Sequence, residues 1–362
     1  MDPVLVLGGC GGLGHHIIKQ LLDTKKASDV TAFDVRIDAN HVPGAKYVQG
    51  SIASEKDVRS VLETVKPKVI MHTVSPQLMG QKNTHELYEN VNVGGTKILL
   101  GCIAEVDYVK ALVYTSSSSV IHNNITDLVE ATEEGRLFYW PEQTEFYSHT
   151  KALAEDLIQE ANRHNGLLTT RLRGSLLFGE GDTTATPQMI ANARTGRTKY
   201  QIGDGTNLFD LTYIGNTAHA HILAAEALLR ESDGRADRDG PLKVNGEAFF
   251  ITNDDHWAFW DFVRAMAAEA GHPVPKDKVT VVPTSVYYAI AVIAEWAVWA
   301  FSLGSKESHM NRRMVKYLTM TRTFNISKAK ERLGYRPQVS MQEGIKRAVQ
   351  WYLAHESDKK SN

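Results

Sequence analysis

Short apolar runs alternate with stretches of helical periodicity through the first half of the chain. Val4-Leu5-Val6-Leu7 is continuously apolar, which predicts a strand buried on both faces. Residues 13–22 then place Ile17, Ile18, Leu21 and Leu22 on one helical face. Val30-Thr31-Ala32-Phe33-Asp34 predicts a second strand. Residues 54–65 predict a helix with Ser54 as N-cap and Asp57 as a shortened capping-box acid. Val69-Ile70-Met71-His72 and Ala111-Leu112-Val113-Tyr114 predict further buried strands, with helices over residues 86–105 and 144–165. Repeated strand–helix units require right-handed crossovers, so the fold class expected is α/β with a doubly wound parallel sheet.

Beyond residue 167 the pattern becomes mixed. Residues 169–173 and 249–252 read as strands among irregular segments. The expected organisation is a sheet domain over 1–173, to which later segments return. A smaller, interleaved substrate lobe follows over 174–355, and a polar, frayed tail over 356–362.

Composition narrows the partners. The 362 residues include 40 basic and 42 acidic side chains, a net charge of -2, so no basic excess exists to hold nucleic acid. Two cysteines, Cys10 and Cys102, form neither a disulfide framework nor a metal-ligand pattern. No metal is expected, and a reducing compartment fits. The chain enters its first strand directly after Met1-Asp2-Pro3, without a basic n-region, so the expectation is a catalytic domain on the cytosolic side.

Three motifs carry chemistry. Gly8, Gly11 and Gly14 lie between the first strand and its helix, the spacing of a dinucleotide-binding Rossmann loop. Gly8 permits the turn, Gly11 lets backbone approach a pyrophosphate, and Gly14 allows close helix packing. Asp34 ends the second strand, where a carboxylate accepts from ribose hydroxyls and repels a 2′-phosphate. NAD is therefore the expected cofactor, with NADP the alternative because Arg36 is near. The second motif is the hydroxyl run Thr115-Ser116-Ser117-Ser118-Ser119 at a strand end, where one or two members can bond a substrate oxygen. The third is Tyr147 and Lys151, one helical turn apart. A phenol with its ordinary pKa of about 10 is a poor base, but an ammonium beside it and a cationic nicotinamide favour the phenolate. His219 and His221, two apart on one predicted helix, cannot share a metal and read as structural. His15 and His16 begin the first helix; solvent exposure is the leading expectation, with lining of the phosphate site the alternative.

These residues resemble the extended short-chain dehydrogenase/reductase superfamily. Within it the chain is similar to the 3β-hydroxysteroid dehydrogenase family, and there to its fungal, decarboxylating branch acting on sterol 4α-carboxylates. The likeness spans nearly the whole chain. It rests on segments such as Asn92-Val93-Gly94-Gly95-Thr96, Phe178-Gly179-Glu180-Gly181-Asp182 and Arg332-Leu333-Gly334-Tyr335-Arg336-Pro337. The resemblance implies Ser117 as catalytic serine, Tyr147 as base and Lys151 as its lysine. It also implies Asn92 on the cofactor side; Thr73, in the segment Thr73-Val74-Ser75-Pro76 at the carboxyl end of the Val69–His72 strand, and Ser51, where the family usually has its adenine-side acid, are the further cofactor-side candidates. The implied reaction is NAD-dependent oxidation of a 3β-hydroxyl on a steroid or triterpenoid, with loss of carbon dioxide where C4 carries a carboxyl. Alternatives are the same oxidation without decarboxylation, a nucleotide-sugar epimerase or dehydratase, a small-carbonyl reductase, or a non-catalytic dinucleotide-binding protein. Homodimers are common in the family. The chain departs from it at Gly50-Ser51, usually Gly-Asp, and at Arg173-Gly174, usually Arg-Pro, which fits a diverged member in a specialised pathway as well as one in sterol synthesis.

The apolar stretch 285–303 predicts a helix capped by Ser285 and rich in interfacial aromatics. The leading expectation is peripheral contact with the cytosolic face of the endoplasmic reticulum membrane; a buried core helix in a cytoplasmic protein, or a true membrane span, is the alternative.

Overall fold

The computed structural model describes residues 1–76, 84–303, 308 and 310–361. Its strands, in chain order, are β1 Val4–Leu7, β2 Val30–Asp34, β3 Lys46–Gln49, β4 Val69–His72, β5 Ala111–Ser117, β6 Leu128–Ala131, β7 Leu168–Gly174 and β8 Leu176–Phe178. They continue with β9 Tyr200–Ile202, β10 Leu208–Phe209, β11 Leu211–Tyr213, β12 Ala248–Ile251, β13 Trp257–Ala258, β14 Thr280–Val282 and β15 Arg322–Phe324. Seven of them form one parallel sheet in the order β12-β7-β5-β4-β1-β2-β3.

The helices are α1 Gly12–Asp23, α2 Glu55–Val65, α3 His85–Tyr88, α4 Gly95–Ala104, α5 Phe146–Glu160, α6 Ala185–Arg194, α7 Ile214–Ser232, α8 Phe259–Glu269, α9 Thr284–Ser302, α10 Arg312–Thr319 and α11 Met341–Ser361. The sheet is buried on both sides because its strands alternate between two cores. Val4 and Val6 join the cluster that α1 and α7 cover, while Leu5 and Leu7 join the cluster of α2, α4 and α5. Each fully buried side chain of this kind contributes roughly 1.5–3 kcal/mol relative to exposure. The late strand β12 pairs with β7 at the sheet edge, and α7 packs along α1. The second lobe holds the four-stranded sheet β13-β10-β15-β6, with α6, α8 and α11 packed together.

Several expected elements differ in detail. The helix expected over 86–105 is interrupted: a π-helical turn, Glu89–Gly94, joins α3 to α4. Gly95 is needed after it, since a Cβ there would lie 2.6 Å from Ile52 Cγ2. The helix expected over 144–165 starts at Phe146 and ends at Glu160, after which Arg163 and Asn165 adopt positive φ of 72° and 50°. Ser54 caps α2 by accepting from the Asp57 N–H, but Asp57 bonds the Ser51 N–H rather than closing a reciprocal box. Residues expected to fray at the C-terminus prolong α11 to Ser361.

Helix α9 corrects the core-helix alternative. Ala291 is its only buried residue, and Ile293, Trp296 and Phe301 are 68%, 65% and 93% exposed. The helix begins after Pro283 without a side-chain cap, so Ser285 does not cap it. The carboxylate of Glu295, the one acid within it, accepts from the Arg312 backbone N–H and Nε, each at 2.7 Å, tying α9 to α10.

Candidate active site

Strand β1 lies between β2 and β4. The chain winds outward from β1 in both directions, so the crevice between β1 and β4 is the switch point where ligands of such sheets bind. The glycine loop opens there. Gly8 has φ +78°, and a Cβ on it would sit 2.7 Å from Thr73 Oγ1. A Cβ on Gly14 would meet Gly8 O at 2.2 Å. Gly11 faces open space apart from Gly8 O at 3.3 Å. It also N-caps α1 without a side-chain bond, leaving first-turn N–H groups for an anion.

Asp34 borders this cradle. Its Oδ2 accepts from the Cys10 N–H at 3.1 Å and its Oδ1 from the Arg36 N–H at 3.3 Å. Thr73 closes the other side, donating to Leu7 O at 2.8 Å. A backbone-lined cradle with a carboxylate at its rim fits a dinucleotide. Ser51 contributes differently from a direct ligand. Its N–H donates to Asp57 and its hydroxyl accepts from the Ala53 N–H at 3.2 Å, so its polar atoms shape the turn after β3.

Tyr147 occupies the first turn of α5, edge-on to the Tyr88 ring at 5.8 Å. Burial pushes its phenol up to about 12, with Tyr88 adding to the shift; hydrogen bonds to the Ser117 and Ser75 hydroxyls pull the other way. Ser117 is the member of the hydroxyl run that bonds this phenol. Its Oγ also lies 2.8 Å from Ser119 Oγ, which accepts from the Ser148 hydroxyl at 2.7 Å. Among the other hydroxyls, Thr115 Oγ1 lies 2.7 Å from His221 Nε2.

Lys151 is 2% exposed, and its Nζ donates to Thr115 O at 2.8 Å. Burial pulls its ammonium down to about 7, against the pull of Glu155. Lys151 thus donates to β5, and burial keeps the Tyr147 phenol neutral at physiological pH before any cofactor charge acts on it. The charge of a bound nicotinamide would add to the lowering by the Ser117 and Ser75 hydroxyls.

Asn92 lies on the π-turn, fully inside the protein. Its Nδ2 donates to Thr150 Oγ1 at 3.0 Å, and that hydroxyl donates to Tyr147 O at 2.9 Å. Its buried Oδ1 has no donor among the described residues, an acceptor that a bound group would satisfy. π-turns of this kind concentrate at functional sites.

Sequence reasoning missed two positioning groups. Ser75 lies three residues beyond β4, and nothing in its sequence context distinguishes it from its neighbours. Gln143 is buried and joins α5 to the serine run: its amide donates to Ser119 O at 3.1 Å and its Oε1 accepts from the Glu145 N–H at 3.0 Å. A buried glutamine just before a helix leaves no local signal.

The histidine readings divide. His221 is buried and bonded at both ring nitrogens, to Thr217 O and Thr115 Oγ1, as a structural residue is. His219 is half-buried near the Tyr335 ring. Solvent exposure of His16 is overturned: it is 9% exposed, its Nε2 3.1 Å from Glu180 O. The segment around Glu180 packs on the start of α1, so that a Cβ on Gly12 would meet Gly181 O at 2.9 Å. His15 is partly buried, with Nδ1 2.8 Å from Asn40 O.

By architecture the chain is a Rossmann-type α/β protein. It superposes on dTDP-glucose 4,6-dehydratase of Bacillus anthracis with a TM-score of 0.69 and 19% identity, covering 98% of this chain and 97% of that one. UDP-glucose 4-epimerase of Thermus thermophilus gives 0.68 and 20%, over 97% and 98%. These likenesses are of fold. The chain belongs to the 3-beta hydroxysteroid dehydrogenase/isomerase family, which it matches over residues 5–283. It is 37% identical to the decarboxylating sterol-4-alpha-carboxylate 3-dehydrogenase of Candida albicans across 97% of each chain. The Homo sapiens protein of that description is 32% identical, over 95% of this chain and 87% of its own.

Proposed function

We propose that the chain is an NAD-dependent dehydrogenase that oxidises the 3β-hydroxyl of a steroid or triterpenoid bearing a C4 carboxylate, which is then lost as carbon dioxide. The observation that carries the chemistry is the Tyr147 hydroxyl, bonded by Ser117 and Ser75 at the carboxyl edge of β5 and β4, beside the glycine cradle. The substrate class comes from the relatives' named reaction.

In this reading Gly8, Gly11 and Gly14 hold the pyrophosphate, and Asp34 accepts from the adenosine ribose. Thr73 and Asn92 support the cofactor side, with Ser51 shaping the adjacent turn. A bound NAD would supply the acceptor for the hydride leaving the carbinol carbon. Tyr147 as phenolate takes the hydroxyl proton, Ser117 holds the same oxygen, and Lys151 binds ribose from its buried position. The new ketone makes the substrate a β-keto acid. The bond from C4 to the carboxylate breaks, its electron pair moves into the carbonyl to give an enolate, carbon dioxide leaves, and C4 takes a proton.

Incubation of the full chain with NAD and a 3β-hydroxy-4α-carboxy sterol is expected to yield one NADH and one carbon dioxide per turnover. NADH with the carboxyl retained reduces the assignment to a plain 3-dehydrogenase. No NADH overturns it.

The membrane reading rests on α9, the one helix among the described residues long and apolar enough to cross a bilayer, with its apolar surface outward. Peripheral seating on the endoplasmic reticulum surface would cover Ile293, Trp296, Trp299 and Phe301 and let a sterol pass from lipid into the lobe. Co-sedimentation with liposomes is expected for the full chain and is expected to fall sharply for Trp296→Ser/Trp299→Ser/Phe301→Ser. Equal sedimentation of the two proteins would remove the anchor.

A further inference from the structure

Arg322 opens β15 in the second lobe and is 6% exposed. An arginine stays charged in proteins and carries five N–H donors. Arg322 satisfies few of them. Its Nη2 lies 3.4 Å from Ser118 Oγ, a long contact, and its Nε has no partner among the described residues. No carboxylate pairs with it among those residues. The guanidinium instead lies 5.4 Å from the Phe209 ring and 5.9 Å from that of Tyr317. Arg173 shows how this chain treats a buried arginine that is purely structural: Glu155 accepts from its Nε at 2.9 Å and its Nη2 at 2.8 Å. A buried cation without an anion is costly, and removing the anion from such a pair destabilises strongly. Arg322 is therefore a receptor short of its ligand.

Its place identifies the ligand. Ser118 follows Ser117, with Cα atoms about 3.8 Å apart, and Ser117 bonds the Tyr147 phenol. A group on C4 of a ring is one carbon from the C3 oxygen that Ser117 and Tyr147 would hold. The guanidinium thus reaches, from β15 in the second lobe, the residue next to the reacting serine. Its walls are aromatic, as suits an apolar ring body, and its planar fork matches a carboxylate. His122 ends the same turn and offers no second charge, since burial and then Arg322 itself pull its imidazole down to about 4.

We propose that Arg322 is the specificity-determining residue that receives the substrate's C4 carboxylate, which rests on the reaction proposed above. Uncarboxylated 3β-hydroxysteroids are then weak ligands because they leave this cation unpaired. The segment from α9 through α10 to β15 joins the apolar outer helix to the receptor in one run of chain, with Tyr317 as the shared wall.

The test is binding, separate from turnover. Calorimetry on the full chain saturated with NAD would compare a steroid 4α-carboxylic acid lacking the 3-hydroxyl with its methyl ester. Wild type is expected to bind the acid about 30-fold or more tightly than the ester. Arg322→Met is expected to bind both alike with its unfolding midpoint unchanged or raised, and Arg322→Lys to keep part of the preference. Absence of a preference in wild type, or its survival in Arg322→Met, overturns the proposal; should the methionine variant not fold, Arg322→Gln supplies the same ratio. Wild-type turnover of the hydroxylated acid is scored alongside: its absence sinks the proposed reaction, while the binding ratio still decides Arg322.

Discussion

Replacing Tyr147 by phenylalanine is expected to lower kcat by about 10²- to 10⁴-fold, the usual contribution of a positioned general base. NAD affinity should stay close to that of wild type. The substitution removes one oxygen, bonded to Ser117 and Ser75, and leaves the ring against Tyr88. The glycine cradle and Asp34 are built from other elements, so cofactor binding has no reason to fall with the rate. The pH profile discriminates a base from a packing residue. Burial holds the phenol up to about 12 before any cofactor charge acts on it. The active form is the phenolate, so kcat/KM of wild type should climb as pH rises, and the residual rate of the variant should lose that slope. Unchanged turnover in Tyr147→Phe, measured as NADH formed per enzyme, would remove the proposed base.

Arg173→Met should cost about 3–5 kcal/mol of stability, the penalty for stranding a buried charge. Glu155 is 1% exposed and Arg173 5%, with a bidentate contact between them. The pair joins β7 to α5 one turn beyond Lys151, so its loss also loosens the helix that presents Tyr147. Burial alone would raise the Glu155 carboxyl, but the Arg173 charge and hydrogen bonds hold it below the ordinary glutamate range. A lowered folded-state pKa means that the pair stabilises fully above the unfolded glutamate value and is lost as pH falls through the folded one. Chemical denaturation at several pH values checks both statements: the difference between wild type and Arg173→Met should shrink on acidification below that range. The double variant Arg173→Met/Glu155→Leu should recover most of the loss. A single variant as stable as wild type would show that the pair is energetically idle.

The same pair shows where reading the chain stops. Arg173-Gly174 departs from the family's Arg-Pro, and the departure by itself names no partner for the arginine. The guanidinium is committed to Glu155, and Gly174 continues β7 in register with Ser117. The π-turn at Asn92 was read as ordinary helix, because one extra residue in a turn does not disturb an apolar stripe over so short a span. His16 looked exposed because the residues that bury it lie 164 positions away.

What the sequence alone determined was the alternating strand–helix frame, the strand-end placement of the glycine loop, Asp34 and the serine run, and the Tyr147–Lys151 turn. All follow from local rules of period, backbone freedom and chain order. The family resemblance pointed to Ser117 among the five hydroxyls, but only the tertiary structure decided that Lys151 donates to Thr115, that α9 lies outside the core, and that Arg322 is buried beside Ser118 without a counter-ion among the described residues. Those outcomes depend on the distance between side chains remote in sequence and on how much water their packing excludes. Neither is encoded in any local pattern of residues.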